Sequence, residues 1–220
     1  MHPRLLTLAM VGALTVSLQA ASPPPAPADP PQQTAATTAA SGPRQVIEET
    51  IPAVVDILQD RAAAAERRNA RLKTILQQRA DLPVLSRAML GGGWDAAGDE
   101  ARQHFLDALA DYLVSVYSPL MENYAGEQVQ VAQDKALGRD HLVVIRVTQP
   151  QAAAPRALGH IACRMREAEG AWKVIDVTVE GISVARVFGA QFRPVMERSG
   201  LEALTQQLRQ KVKTADAASH

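Results

Sequence analysis

The chain has 220 residues, 47% of them hydrophobic, and carries 23 basic against 23 acidic side chains. That length and apolar content supply one ordinary domain, or two small ones, with a real core, and they exclude chain-wide disorder. Balanced charge leaves no footprint for nucleic acid, and the single cysteine, Cys163, excludes an intramolecular disulfide framework and any multi-cysteine metal site.

Residues 1–20 read as a cleaved secretory signal. Arg4 supplies the positive start, and Leu5 to Leu18 is a run of small and apolar residues. The run is shorter than the roughly 20 residues that span a membrane. Ala20 and Ala21 place the cleavage after Ala20, and no cysteine lies nearby for lipoprotein processing. Residues 21–43 form a Pro/Ala-rich linker holding half of the chain's 14 prolines and only one charge, Asp29. Such a stretch builds no core. The folded domain is expected over 44–213, with a frayed tail at 214–220.

The first half of that domain is helical. Ile47, Ile51, Val54, Val55 and Leu58 share one helical face. Pro52 interrupts it, so Thr50 capping a helix from Ile51 is the alternative. Residues 61–79 are rich in good helix formers. Asp81-Leu82-Pro83 breaks the chain before a short helix at 84–90, which Gly91-Gly92-Gly93 stops with a turn. The clearest helix runs from Asp99 to Tyr117, with a stripe of Phe105, Leu109, Tyr112, Leu113, Val116 and Leu120.

The period then changes. Strands are predicted at 128–132, 141–148, 158–166 and 172–179, joined by short connections that favour an antiparallel meander. One strand parity holds Val143, Ile145, Val147, Ile161, Cys163, Met165, Ile175, Val177 and Val179. The other mixes Arg146, Arg164, Asp176 and Thr178 with Leu142, Val144, Trp172 and Val174. Asp176 is expected to neutralise Arg146 or Arg164 on that half-covered face. Helices return at 184–196 and 201–212, divided by Ser199-Gly200. The pattern is α+β, a four-stranded antiparallel sheet with helices covering one face.

Chemistry is sparse. No Gly-rich loop joins a strand to a helix, so there is no phosphate cradle, and no Gly-x-Ser-x-Gly elbow exists. His104, His141 and His160 do not pair at metal-ligand spacing. Cys163, on an apolar strand face, reads as a buried, inert thiol. Glu180 before Gly181 has no partner carboxylate, and a turn contact explains it better than catalysis. No catalytic or metal residue is assigned.

Two segments go further. Residues 85–131 contain Leu90-Gly91-x-x-Trp94, Glu100 and Arg102 ahead of Phe105, and Tyr117 with Tyr124 and Gly126. Residues 172–209 contain Trp172-Lys173-Val174 with Asp176-Val177, Glu180-Gly181-Ile182-Ser183, and Gln191-Phe192 with Gly200-Leu201. Together they resemble the MlaC family, the toluene-tolerance auxiliary family of periplasmic phospholipid-binding proteins. The likeness spans nearly all of 44–212. It departs at Val187-Phe188-Gly189-Ala190, where the family often has an Asn-Tyr-Arg-Ser-type run, and at Ala97-Gly98, where a Thr-Pro cap is usual.

The resemblance implies a curved sheet against helices, with an apolar cavity between them that holds acyl chains. It implies a monomeric periplasmic carrier with no cofactor beyond its phospholipid ligand, and not an enzyme. The carrier would shuttle lipid between an outer-membrane lipoprotein complex and an inner-membrane ABC transporter with an MCE-domain component, maintaining lipid asymmetry. A hopanoid-associated branch of the family is an alternative ligand class. The cavity residues expected on this basis are Leu90, Trp94, Leu109, Tyr112, Leu113, Val116, Val143, Ile145, Val147, Ile161, Val177, Val179, Phe188 and Phe192. From other classes, a small exported enzyme on a cone-shaped α+β fold, or a structural protein with a filled core, remains open.

Overall fold

The structure is a computed structural model, and it describes residues 41–122, 124–149 and 156–218. The expected signal segment, its expected cleavage site and most of the expected linker lie outside the described residues. Helix α1 (Pro43–Gln59) starts on a proline, whose missing N–H costs nothing in a first turn. It runs straight through Pro52 rather than starting after Thr50, whose hydroxyl donates to the Val46 carbonyl at 2.6 Å. Burial of Val46 and Ile47 before the proline and Ile57 after it outweighs the lost backbone bond. Helix α2 (Ala65–Arg79) follows, then α3 (Leu82–Leu90), where the Val84 amide donates to the Asp81 carboxylate. Gly91 ends α3 at φ 59°, a conformation that favours glycine. Gly92 and Gly93, expected to continue the turn, instead begin the short α4 (Gly92–Ala96).

The long α5 (Asp99–Glu122) precedes the sheet. Strands β1 (Gln128–Leu137), β2 (Asp140–Gln149), β3 (Arg156–Ala168) and β4 (Ala171–Val179) form the expected antiparallel meander. A fifth, two-residue strand, β5 (Ile182–Ser183), pairs with the end of β4 and was not foreseen. The turn between them, Glu180-Gly181, takes positive φ at both residues, as a tight hairpin of right-twisted strands requires. Helix α6 (Val184–Ala218) bends at Gly200, at φ 78°, where the sequence divides two helices. It continues to Ala218 through residues expected to fray.

The strand register departs from simple alternation at one decisive place. Arg164 stands opposite Asp176, but Met165 stands opposite Val174, so Ile175 is an extra, unpaired residue. A one-residue bulge exchanges the faces of the side chains on its two sides. Trp172 and Val174, expected on the mixed face, therefore pack with the apolar cluster around Met165 and Cys163. A second bulge in β1 skips Ala132.

The expected pairing of Asp176 with an arginine is also corrected. Asp176 accepts hydrogen bonds from the Val177 and Ala185 amides and, at 2.6 Å, from the Ser183 hydroxyl. It thereby ties β4 to β5 and caps the start of α6, satisfying an amide that has no partner within the helix. The guanidinium of Arg164, directly across the ladder, goes instead to Asp140. That carboxylate also takes Arg166, both contacts closing to 2.6 Å, and is 1% exposed. Arg166's hydrogen bonds lead in holding its pKa down to about 2, against the opposing pull of burial.

Candidate functional site

The apolar side chains form three clusters rather than one. The first joins α3–α6 and contains Leu90, Trp94, Leu109, Tyr112, Leu113, Phe188 and Phe192 of the expected cavity residues. The second joins α1 to the sheet and contains Val143 and Ile145 beside Val46, Ile47, Cys163 and Met165. The third lies among α1, α2 and α5 and is built on Ile57, Leu72 and Val114. A domain of this size ordinarily gathers one core with smaller satellites, and half-buried residues join these three.

The residues at the borders of these clusters are half-buried. Val177 packs against both the first and the second, and Leu76 against the first and the third. Ile51 and Ile161 border the second cluster, Tyr117 the first and Val54 the third. Val147, beside Ile145 on the same strand parity, is also half-buried, and its ladder partners are Val129 and the bare Gly159. Val116 and Val179 are more open still, at 36% and 38% exposure. The expected residues thus divide: most anchor two clusters, while Val116, Val147, Ile161, Val177 and Val179 stand at partly open positions. Sequence reasoning missed Ile51 and Val54 of α1 and Tyr117 of α5. Ile51 and Val54 were legible as one helical stripe.

Aromatic rings stiffen the helical side. Phe188 and Phe192, one turn apart, stack at 5.5 Å, and Tyr112 meets Phe188 edge-on at 5.7 Å. Tyr117 reaches the same Phe188 ring at 6.5 Å. Burial, and then the neighbouring Tyr112, push the Tyr117 phenol above its usual pKa, so it stays neutral. Trp94 lies against Phe105 and beneath the Arg102 guanidinium, 5.5 Å from the ring. Arg102 also donates to the Trp94 and Asp95 carbonyls, clamping α4 onto α5. Arg193 does the same for α3, donating to the Ala88 and Met89 carbonyls at its C-terminal end. Gly189 lets α6 approach α3 closely, since a Cβ there would lie 3.0 Å from the Met89 carbonyl oxygen.

Reactive groups near this region are engaged or shielded. Burial pushes the Cys163 thiol up to about 12, so it is not a thiolate at neutral pH. His141 is hydrogen-bonded to Asp134 at 3.0 Å and packs edge-on against Trp172. Glu180 accepts the His160 amide proton at 2.6 Å, the turn contact expected of it. Among the described residues, no group of three or more His, Cys, Asp or Glu side chains is placed to hold a metal, and no helix is long and apolar enough to cross a membrane. What the arrangement offers a ligand is methyl and aromatic surface. Each buried methylene is worth about 0.8 kcal/mol, so an acyl chain is the class of molecule that gains most from it.

Comparison with known proteins agrees with this chemistry. The family model described as MlaC protein matches residues 48–210. The chain is 24% identical over 124 residues to the intermembrane phospholipid transport system binding protein MlaC of Haemophilus influenzae. That match covers 56% of this chain and 58% of the relative, so it spans little more than half of either. Among solved structures, the phospholipid-binding protein from Ralstonia solanacearum, in complex with a phospholipid, superposes with a TM-score of 0.66 at 21% identity. It covers 79% of this chain and 98% of that one, and at that identity the likeness establishes a shared fold.

Proposed function

Because the chain belongs to the MlaC family, we propose that it is a periplasmic phospholipid carrier, not an enzyme, holding acyl tails between its helices and the apolar face of its sheet. It takes lipid from or delivers it to an outer-membrane lipoprotein complex and an inner-membrane ABC transporter with an MCE-domain component. The observation that supports this reading is the set of half-buried apolar residues where the clusters meet. Val177 borders two clusters yet is half-buried, and on the neighbouring strands Val147, Ile161 and Val179 continue the partly open apolar surface. A tail of ~16 carbons gains on the order of 10 kcal/mol when buried there, enough to hold a molecule that has no refuge in water. The headgroup stays at the open end, in water, and tail burial rather than headgroup recognition supplies the affinity.

The competing enzyme reading lacks a comparable observation, because Cys163 is shielded and His141 is committed to Asp134 and Trp172. The carrier reading is tested by incubating the protein with vesicles of labelled phospholipid and measuring lipid recovered with the protein after the vesicles are removed. Val177→Asp puts an unpaired carboxylate among methylenes, which is strongly disfavoured next to a tail. It should abolish recovery while circular dichroism stays native. A folded Val177→Asp protein that loads as much lipid as the parent would remove Val177 from the lining.

A further inference from the structure

The exposed large hydrophobic residues among those described are Val116, Leu137, Leu158, Val179, Ile182 and Val187. All but Leu137 gather at one end of the molecule. Val179 pairs with Ile161 on one side and Ile182 on the other, Leu158 is the third residue of β3 at the same end, and Val187 lies in the first turn of α6. The Tyr117–Phe188 contact brings the Val116 turn of α5 to the start of α6. Ile182, at the tip of the β4–β5 hairpin, is 54% exposed. A soluble monomer seldom concentrates its exposed apolar side chains in this way.

This hairpin is held firmly. Glu180 accepts the His160 amide proton and returns its own amide to the His160 carbonyl at 3.2 Å. Gly159 leaves room for that carboxylate, since a Cβ there would lie 2.7 Å from Glu180 Oε1. The acid of the rim is thus occupied. Its two described arginines, Arg146 and Arg186, are exposed and have no ion-pair partner among the described residues. Arg146 stands opposite His160, whose backbone holds Glu180, and Arg186 precedes Val187 in the first turn of α6. That end is apolar at its tip, and the two arginines beside the tip lack acidic partners among the described residues.

We propose that this rim is a docking surface for an anionic lipid bilayer, with Leu158, Val179, Ile182 and Val187 entering the headgroup boundary and Arg146 and Arg186 meeting lipid phosphates. An apolar tip flanked by arginines that lack acidic partners is chemistry that seats a protein in such an interface. The inference rests on the carrier reading, because the same end presents the half-open residues Val179 and Val116. Seating it on a bilayer lets a tail pass from membrane to protein without crossing water.

The test is sedimentation of the full chain with phosphatidylcholine vesicles containing roughly one-third phosphatidylglycerol, against vesicles of phosphatidylcholine alone. The parent protein should bind the anionic vesicles and release as salt rises. Arg146→Gln and Arg186→Gln should each weaken partitioning about five-fold. Ile182→Asp should weaken it roughly ten-fold or more, because an exposed apolar tip becomes an anion. Lipid already carried by each variant, read by mass spectrometry, should be unchanged. If Ile182→Asp does not fold, the two arginine variants carry the test alone. Absence of parent binding to anionic vesicles, or binding indifferent to all three substitutions, would overturn the docking surface while leaving the carrier reading intact. A concentration-dependent dimer that Ile182→Asp abolishes, without vesicle binding, would overturn it in favour of a second copy of the chain. Vesicle binding by a protein that carries no lipid would sink the carrier reading and leave the rim standing.

Discussion

Replacing Asp140 with asparagine should cost the fold more than any other single charge change. The carboxylate is 1% exposed, and Arg164 Nε and Arg166 Nε donate to it at 2.7 and 2.6 Å, with Arg166 Nη2 at 3.0 Å. Asparagine keeps the size but removes the charge and turns one acceptor into a donor facing two guanidiniums. Breaking a buried ion pair from one side costs about 3–5 kcal/mol. Arg164 is half-open and recovers water, which places the loss near the lower bound, about 3 kcal/mol. In a domain of this size that corresponds to roughly 6–12 °C in Tm. Acid should reveal the same linkage. The folded pKa is lowered to about 2 from an ordinary 3.8, so the pair's contribution is complete above the higher value and is lost as pH falls through the lower. The gap between parent and Asp140→Asn, measured by urea unfolding, should therefore be constant from neutral pH to about 5 and close towards 2. A variant within about 0.5 kcal/mol of the parent at neutral pH would refute the account of this ion triad.

Other substitutions probe the frame and the lining. Asp176→Ala removes three hydrogen bonds at the β4–β5–α6 junction and should cost about 2 kcal/mol by thermal unfolding; a Tm equal to the parent's would show the cap to be idle. Gly189→Ala pushes a Cβ to 3.0 Å from the Met89 carbonyl oxygen, so α3 and α6 must separate at a cost of about 1–3 kcal/mol in chemical denaturation. An unchanged midpoint there would mean the helices have slack. Val177→Phe discriminates between packing and cavity: beside a cavity it should lower lipid content with little change in stability, whereas in a filled core it should cost about 1–3 kcal/mol.

The meander was legible because each strand alternates and each connection carries a turn residue, as at Glu169-Gly170, where both φ angles are positive. The helical side was legible from the stripe of α5, whose Phe105 and Leu109 are fully buried. What alternation does not announce is a bulge. Nothing in Trp172 to Val177 marks Ile175 as extra, yet that one residue sends Trp172 and Val174 to the apolar face. The ion pairing failed for a related reason. Arg164 and Asp176 do face each other across the ladder, but Asp176 has closer donors in Ser183 and in its own neighbours' amides, while Asp140 waits beside two arginines. Asp140 sits at a turn, and its burial depends on side chains from another strand. The lining was readable only as a set of apolar residues. Whether Val143, which is fully buried, or Val147, which is half-open, faces a tail depends on which helix lies over each, and periodicity carries no record of that.

The most direct test of the carrier is native mass spectrometry of the protein purified without detergent, followed by extraction and identification of any bound lipid. The half-buried apolar residues between the helices and the sheet predict a mass above that of the polypeptide by one or more phospholipids, lost on denaturation and absent from folded Val177→Asp. A folded protein at its bare polypeptide mass, which takes up no phospholipid when offered vesicles, would contradict it.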